Sequence, residues 1–210
     1  NPGLDETVRQ RYGRLYCGLF YQRFVLGRWV VADGLVYDFK PQYIAKECPA
    51  QGRYYISVDY GTMNPFSAGL WCVSRGVAWR VREFYYNGRQ AGRTMTDSEY
   101  HRALVELAGT HPIEKVIIDP SAASLIAQIR REGVFSVRKA RNAVLPGIRL
   151  VGQLLAEGRL RIGENCRDTI REFGQYRWQE ALDAPVKEFD HAMDDVRYFC
   201  ATVMARATDN

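Results

Sequence analysis

Two apolar runs in this sequence end on an aspartate: "YYISVDYGTMNP" (residues 54–65) reaches Asp59 and "VIIDPSAAS" (116–124) reaches Asp119. A third acidic group opens the last helical segment, "EFDHAMDDVRYF" (188–199), where Asp190, Asp194 and Asp195 stand close to His191. If the two strands run parallel in one sheet, their carboxyl ends lie together and so do Asp59 and Asp119. Carboxylates from separate elements, with water completing the shell, suit hard cations such as Mg²⁺ or Mn²⁺. Two such ions about 3.5–4 Å apart clamp the attacking and leaving oxygens of an in-line phosphodiester displacement. Taken singly, each acid has an ordinary use: an Asp before Gly or Pro forms turns, and Asp190 reads as a helix N-cap with His191 a first-turn surface residue. The combination is what points to a metal site. On a helical wheel Ala192, Val196, Phe199, Cys200 and Val203 make the core face, Asp195 flanks it, and Asp194 and His191 share a more solvent-directed side with Tyr198. Asp194 and Asp195 both stay open as the third ligand.

The elements that must position these acids follow from periodicity. Tyr54 to Tyr60 reads as a strand, and Phe66 to Val73 and Val77 to Tyr86 as a hairpin around Ser74-Arg75-Gly76. Thr96-Asp97-Ser98-Glu99 has the capping-box form and opens a helix through Tyr100, Leu104, Leu107 and Ala108. Lys115 to Pro120 is a short buried strand with a capped helix, Ser121 to Arg131, behind it. A strand at Val134 to Arg138, an amphipathic helix at Gly147 to Glu157, a strand at Arg159 to Ile162 and helices over about 167–180 and 190–206 complete the chain. Three antiparallel strands followed by parallel ones, flanked by helices, make an α/β fold with a mixed central sheet.

The first fifty residues differ from the rest. Aromatics from Tyr12 to Tyr43 interleave with Gly13, Gly18, Gly27 and Gly34, which reads as a helix over about 5–24 and then short extended pieces. We divide the chain into a connector, residues 1–50, and a catalytic-sized domain, residues 51–210. The opening Asn1-Pro2-Gly3, without an initiator Met, reads as the start of a piece of a longer protein, and no apolar run has membrane-spanning length. Five scattered cysteines lack metal-ligand spacing and suit reduced, mostly buried thiols. The net charge of +5, carried mostly by arginine, suits a polyanionic partner and equally suits a solvated basic surface.

Taken in order, "LGRWVVADGLVYDF", "YISVDYGTMNPFSAGLW", "VIIDPSAAS", "NAVLPGIRLVGQLLAEGRLRI" and "APVKEFDHAMDDVRYF" resemble the nuclease domain of the tailed-bacteriophage terminase large subunits, from about Leu26 to Phe199. The resemblance implies a ribonuclease H-like fold and a metal-dependent endonuclease that cuts concatemeric DNA during packaging with little sequence specificity. It also implies that Asp59, Asp119 and Asp194 hold two divalent cations, Mg²⁺ or Mn²⁺, with His191 one helical turn before the third acid. Asp195 stands where that family commonly has a small residue, which leaves room for an extra carboxylate or a shifted ligand. The implied partners are double-stranded DNA, an N-terminal packaging ATPase of the same protein, the portal and the small terminase subunit. The implied location is the host cytoplasm, transiently at the procapsid portal. No GxxxxGK[ST] phosphate loop occurs here, so the motor ATPase is not in these residues.

Arg138, Lys139 and Arg141 follow a strand near the acidic edge and are expected to contact DNA phosphates. Three other readings compete. An actin-like or sugar-kinase ATP-binding domain also has strand-Asp-x-Gly-Thr, with the turn cradling a phosphate. A basic module that docks on DNA or on a portal would use its acids only for turns. A junction resolvase or transposase-type enzyme would share the acids and the fold class. We expect Asp59 to be a metal ligand and Gly61-Thr62 to provide the tight exit into the hairpin.

Overall fold

The computed structural model describes residues 34–49, 51–179 and 184–205. The helix expected over residues 5–24 and Cys17 lie outside them. Among the described residues seven strands form one sheet: β1 (Ile44–Ala45), β2 (Arg53–Asp59), β3 (Phe66–Ser74), β4 (Val77–Tyr86), β5 (Ile113–Ile118), β6 (Val137–Lys139) and β7 (Leu160–Gly163), in the spatial order β1-β7-β4-β3-β2-β5-β6. Only β3 runs against its neighbours; β2 with β5, β5 with β6, β4 with β7 and β1 with β7 are all parallel. The mixed sheet expected from the sequence is therefore the sheet observed.

Local chemistry explains the connections. The β3–β4 hairpin closes on Arg75 (φ 49°) and Gly76 (φ 77°), two left-handed residues whose twist matches the flanking strands. After the short helix α1 (Gly88–Ala91), α2 (Asp97–Ala108) starts on a complete capping box: Thr96 Oγ1 accepts from Glu99 N, and a Glu99 carboxylate oxygen accepts from Thr96 N at 2.8 Å. Helix α3 (Ala123–Glu132) departs from expectation because its N-cap position is Ala122 and no side chain caps it. Asp119, pulled back to accept from Ser121 N at 2.8 Å, tightens the turn before it. Helix α4 (Val144–Ala156) begins three residues earlier than its apolar stripe predicts, since Pro146 sits harmlessly in the first turn. Helix α5 (Arg167–Phe173) stops short of residue 180. Beyond Gly174 the chain turns extended to pair with residues 34–36, through Val36 N to Tyr176 O and Trp178 N to Gly34 O. Helix α6 (His191–Phe199) runs on into a π-helical turn, Cys200–Met204.

The sheet divides two apolar layers. On one face Ile56, Val58, Phe66, Leu70, Val116 and Ile118 pack against α2 and α3. On the other, Tyr55, Trp71, Ile162 and Tyr37 pack against α4, α5 and α6. The indole of Trp71 stacks on Phe199 with centroids 4.1 Å apart and planes 2° from parallel, a contact worth about 0.5–1.5 kcal/mol beyond its buried area. Val36 and Tyr37 belong to this second layer, Phe39 and Tyr43 pack against it, and β1 pairs with β7, so part of the described segment before residue 50 joins the core. Cys72, Cys166 and Cys200 are buried and Cys48 is half-buried, none of them disulfide-bonded. No helix among the described residues is long and apolar enough to cross a membrane.

Candidate active site

Strands β2 and β5 are parallel and in register, with Val58 opposite Ile118. The next residue on each is Asp59 and Asp119, so both acids sit at one edge of the sheet. Alternation along β2 turns Tyr55, Ser57 and Asp59 to the face that α6 covers. Helix α6 lies across that face and makes two rungs four residues apart. His191 Nδ1 stands 3.0 Å from Asp59 Oδ2. One turn on, Asp195 accepts a hydrogen bond from Ser57 Oγ.

Helix α6 is held there by residues distant in sequence. Asp190 occupies its N-cap position without making a capping bond. The cap comes from α5, where the fully buried Glu172 accepts from Ala192 N at 2.6 Å and from Tyr85 OH at 2.6 Å. Burial pushes Glu172 upward, and the negative carboxylate at a helix N-terminus is favoured by the helix dipole. We predict that Glu172→Ala, which strands Ala192 N and the Tyr85 hydroxyl, costs about 1–3 kcal/mol in urea denaturation. It should also weaken the His191–Asp59 contact, visible as a shift of the His191 ring resonances.

Each candidate acid has its own environment. Burial pushes Asp59 up to about 7; the hydrogen bond to His191 works against that rise and the charge of Asp194 adds to it. Burial opposes protonation of His191, but the bond to Asp59 and the charges of Asp59, Asp190 and Glu172 outweigh it and hold the imidazole above its ordinary value. Burial likewise opposes ionisation of Asp119, yet hydrogen bonds from Ser121, Asn142 and Tyr198 hold it below the usual carboxylate range. Asp194 pairs with Arg197, whose Nη2 is 2.7 Å from Oδ1. The Tyr198 hydroxyl is pushed far up by burial and then by the charges of Asp194, Asp59 and Asp119 together. The charges of all three acids named from the resemblance thus act on one tyrosine.

Asp195 is placed differently. It is fully buried, 2.7 Å from Arg80 Nη2 and 2.9 Å from Ser67 Oγ, with Trp71 Nε1 donating to Ser57 Oγ at 2.6 Å behind it. Arg80 is also fully buried, and its guanidinium fills the space a side chain at Gly69 would take. The wheel suggested a solvent-directed side for Asp194 and Tyr198, but every residue of α6 except His191 is buried, because the sheet and the helices α4 and α5 surround it.

Among the described residues no three His, Cys, Asp or Glu side chains stand in a ready-made metal-holding group. Each acid instead leans on a neighbour: Asp59 on His191, Asp119 on Asn142 and Ser121, Asp194 on Arg197. The Gly61 turn is closed: a Cβ there would lie 2.2 Å from Pro65 O, and Tyr100 OH donates to Gly61 O at 3.1 Å. That geometry suits a tight exit into the hairpin and leaves no open cradle for a phosphate. Lys139 and Arg141 are exposed and Arg138 half-exposed, all at or just past the carboxyl end of β6, next to β5 and on the edge that carries Asp119. The residues that sequence patterns did not single out are Ser57, Arg80, Asn142, Glu172 and Arg197. Only Ser57, a polar residue inside an apolar strand, carried a local signal.

No family model and no curated protein sequence matches the chain. Solved structures do. The large terminase of the thermophilic bacteriophage D6E, solved in complex with ADP, is 40% identical with a TM-score of 0.84, over 97% of this chain and 53% of that one. This chain therefore spans about half the length of that relative. The nuclease domain of the P22 large terminase is 20% identical with a TM-score of 0.65, over 84% of this chain and 98% of that one, and shares the fold. So does the large terminase nuclease of the thermophilic phage G20c, also solved with bound zinc, at 15% identity and a TM-score of 0.53, over 79% of this chain and 86% of that one.

Proposed function

We propose that this chain, which belongs to the large terminase family and has the fold of its nuclease domains, is a divalent-metal-dependent endonuclease that cuts concatemeric viral DNA during genome packaging. The observation that carries the reading is the in-register parallel pair β2–β5, which sets Asp59 and Asp119 side by side under the helix that brings His191 and Asp194. The donor chemistry fits two Mg²⁺ or Mn²⁺ ions. Asp59, Asp119 and Asp194 offer hard carboxylate oxygens whose crowded negative charge a divalent cation relieves. The G20c nuclease, alike in fold, has been solved with zinc and with cobalt.

Held by Asp59, Asp119 and Asp194, such ions would supply an activated water and neutralise charge on the phosphate and its leaving oxygen. The chain's own residues do the rest. Asp59 orients His191 through Nδ1, leaving Nε2 free of that bond and 3.8 Å from Asp190, where it can hold or move a proton at the edge of the site. Asn142 and Ser121 keep Asp119 ionised, and Arg197 fixes the carboxylate of Asp194 in place. Asp195 serves the fold beneath them as the partner of Arg80. The duplex lies along the edge formed by Arg138, Lys139 and Arg141, which grip phosphates and read no base. The remaining partners follow the family: a packaging ATPase on the same polypeptide, the small terminase subunit and the portal, met in the host cytoplasm.

The test is incubation of the chain with supercoiled plasmid and Mn²⁺ or Mg²⁺, with a chelator control. Metal-dependent nicking and linearisation support the reading, and intact plasmid with both cations over a range of salt and protein concentration refutes it. For the DNA edge we predict that Lys139→Ala and Arg141→Ala each weaken duplex binding alike on all sequences. Each should also reduce the slope of log affinity against log salt by about one. An unchanged slope in both would remove these residues from the interface.

A further inference from the structure

Asp119 follows directly on β5 and Asp194 lies on α6, so two like-charged groups on separate elements must be kept a fixed distance apart. The segment between β6 and α4 does this residue by residue. Ala140 N donates to Ile118 O at 2.8 Å, tying the loop to β5, and Arg141 N donates to Thr202 Oγ1 at 2.9 Å, tying it to the end of the last helix. Asn142 then reaches both ways: its Nδ2 donates to Asp119 Oδ2 at 3.1 Å, and its carbonyl accepts from Arg197 Nη1 at 2.5 Å. Arg197 completes the span through Nη2 to Asp194 Oδ1 at 2.7 Å.

The guanidinium that does this is built in. Arg197 is 2% exposed and its guanidinium lies 4.8 Å from the ring centre of Tyr198. Its stem packs where Gly147 leaves no side chain; a Cβ there would stand 2.4 Å from Arg197 Cγ. Arginine suits the task because its planar fork serves the carbonyl and the carboxylate at once, whereas an ammonium offers a single point.

We infer that Asn142 and Arg197 form a bracket that sets the separation of Asp119 and Asp194, which makes Asn142 a positioning residue for the cation site. The inference rests on the proposed nuclease function and assigns a residue that touches neither DNA nor metal. Asn142 is exposed, so truncating its side chain removes the arm to Asp119 while its carbonyl still meets Arg197.

The experiment compares the whole chain with Asn142→Ala, Arg197→Lys and the double variant. It uses Mn²⁺ titration calorimetry alongside plasmid cleavage at saturating Mn²⁺, and thermal unfolding in chelator. Asn142→Ala should weaken Mn²⁺ binding about 10-fold or more, the range found when groups that orient metal ligands are lost, with an unfolding midpoint in chelator equal to the parent's. Arg197→Lys should lose affinity in the same direction, and the double variant should lose less than the product of the single losses. Mn²⁺ affinity of Asn142→Ala within twofold of the parent, or losses that multiply fully, would overturn the bracket while leaving the nuclease reading intact. A parent chain that binds no Mn²⁺ would overturn both.

Discussion

Asp59→Asn is expected to lower metal-dependent plasmid cleavage by at least about 10³-fold, some 4 kcal/mol of barrier, while leaving the folded chain as stable as the parent or slightly more so. The substitution is nearly isosteric. An asparagine at the end of β2 can still meet His191 Nδ1, so the 3.0 Å contact and the seating of α6 survive. What disappears is a carboxylate charge held against burial, beside Asp194 and at the same edge as Asp119. Such a charge costs the fold and benefits only what binds to it, which is why activity and stability should separate here. Nicking assays with Mn²⁺ and with Mg²⁺, beside urea denaturation of the same preparations, check both halves of the expectation. Cleavage within tenfold of the parent would remove Asp59 from the metal site and return the Gly-Thr turn to consideration. Asp59→Ala should fail catalytically to the same degree but lose some stability, because it also abandons His191.

The half of the candidate site on the strands was legible in the sequence; on the last helix the acids were visible but not which of Asp194 and Asp195 faces the strand ends. Asp59 and Asp119 each close an apolar run, and a parallel arrangement of those runs puts strand ends together whatever the loops do. Helix α6 defeats the same kind of reasoning because a wheel ranks faces only when one of them meets water. Here residues 192–199 are all buried, so Asp194 and Asp195 differ far more in partner than in exposure. Their partners are far away in the chain: Arg80 is 115 positions from Asp195, and Asn142 is 55 positions from Arg197. The same holds for the helix start. Local rules look for a cap at Asp190, whereas the bond to Ala192 N comes from Glu172 on another helix. Local signals such as the Thr96–Glu99 box and the Arg75-Gly76 turn were readable because both partners lie within one turn of chain. Pairings set by tertiary packing leave no such trace.

The adjacent acids can now be told apart by what their loss does. Asp195→Ala is expected to destabilise the chain by about 3–5 kcal/mol, because it strands a buried arginine whose Nε and Nη1 already lack hydrogen-bond partners. Ser57 and Ser67 lose their acceptor in the same step, and the Trp71 indole that donates to Ser57 loses its rigid support. Asp194→Asn, by contrast, keeps a hydrogen-bonding group for Arg197 and should lower the denaturation midpoint much less than Asp195→Ala does, while abolishing Mn²⁺ binding. Trp71 stacks on Phe199 beside this network, so tryptophan fluorescence during urea unfolding reports on it. The pair Arg80–Asp195 is not in itself a large source of stability, since desolvating two charges consumes most of what their attraction gains. Replacing both partners with apolar residues, Arg80→Met with Asp195→Leu, should therefore restore much of the stability that either single substitution loses. A parent-like midpoint for Asp195→Ala together with lost Mn²⁺ binding would refute this assignment and make Asp195 the ligand. Unfolding of Asp195→Ala with a soluble, metal-free Asp194→Asn would fix one acid as the support of the sheet and the other as part of its chemistry.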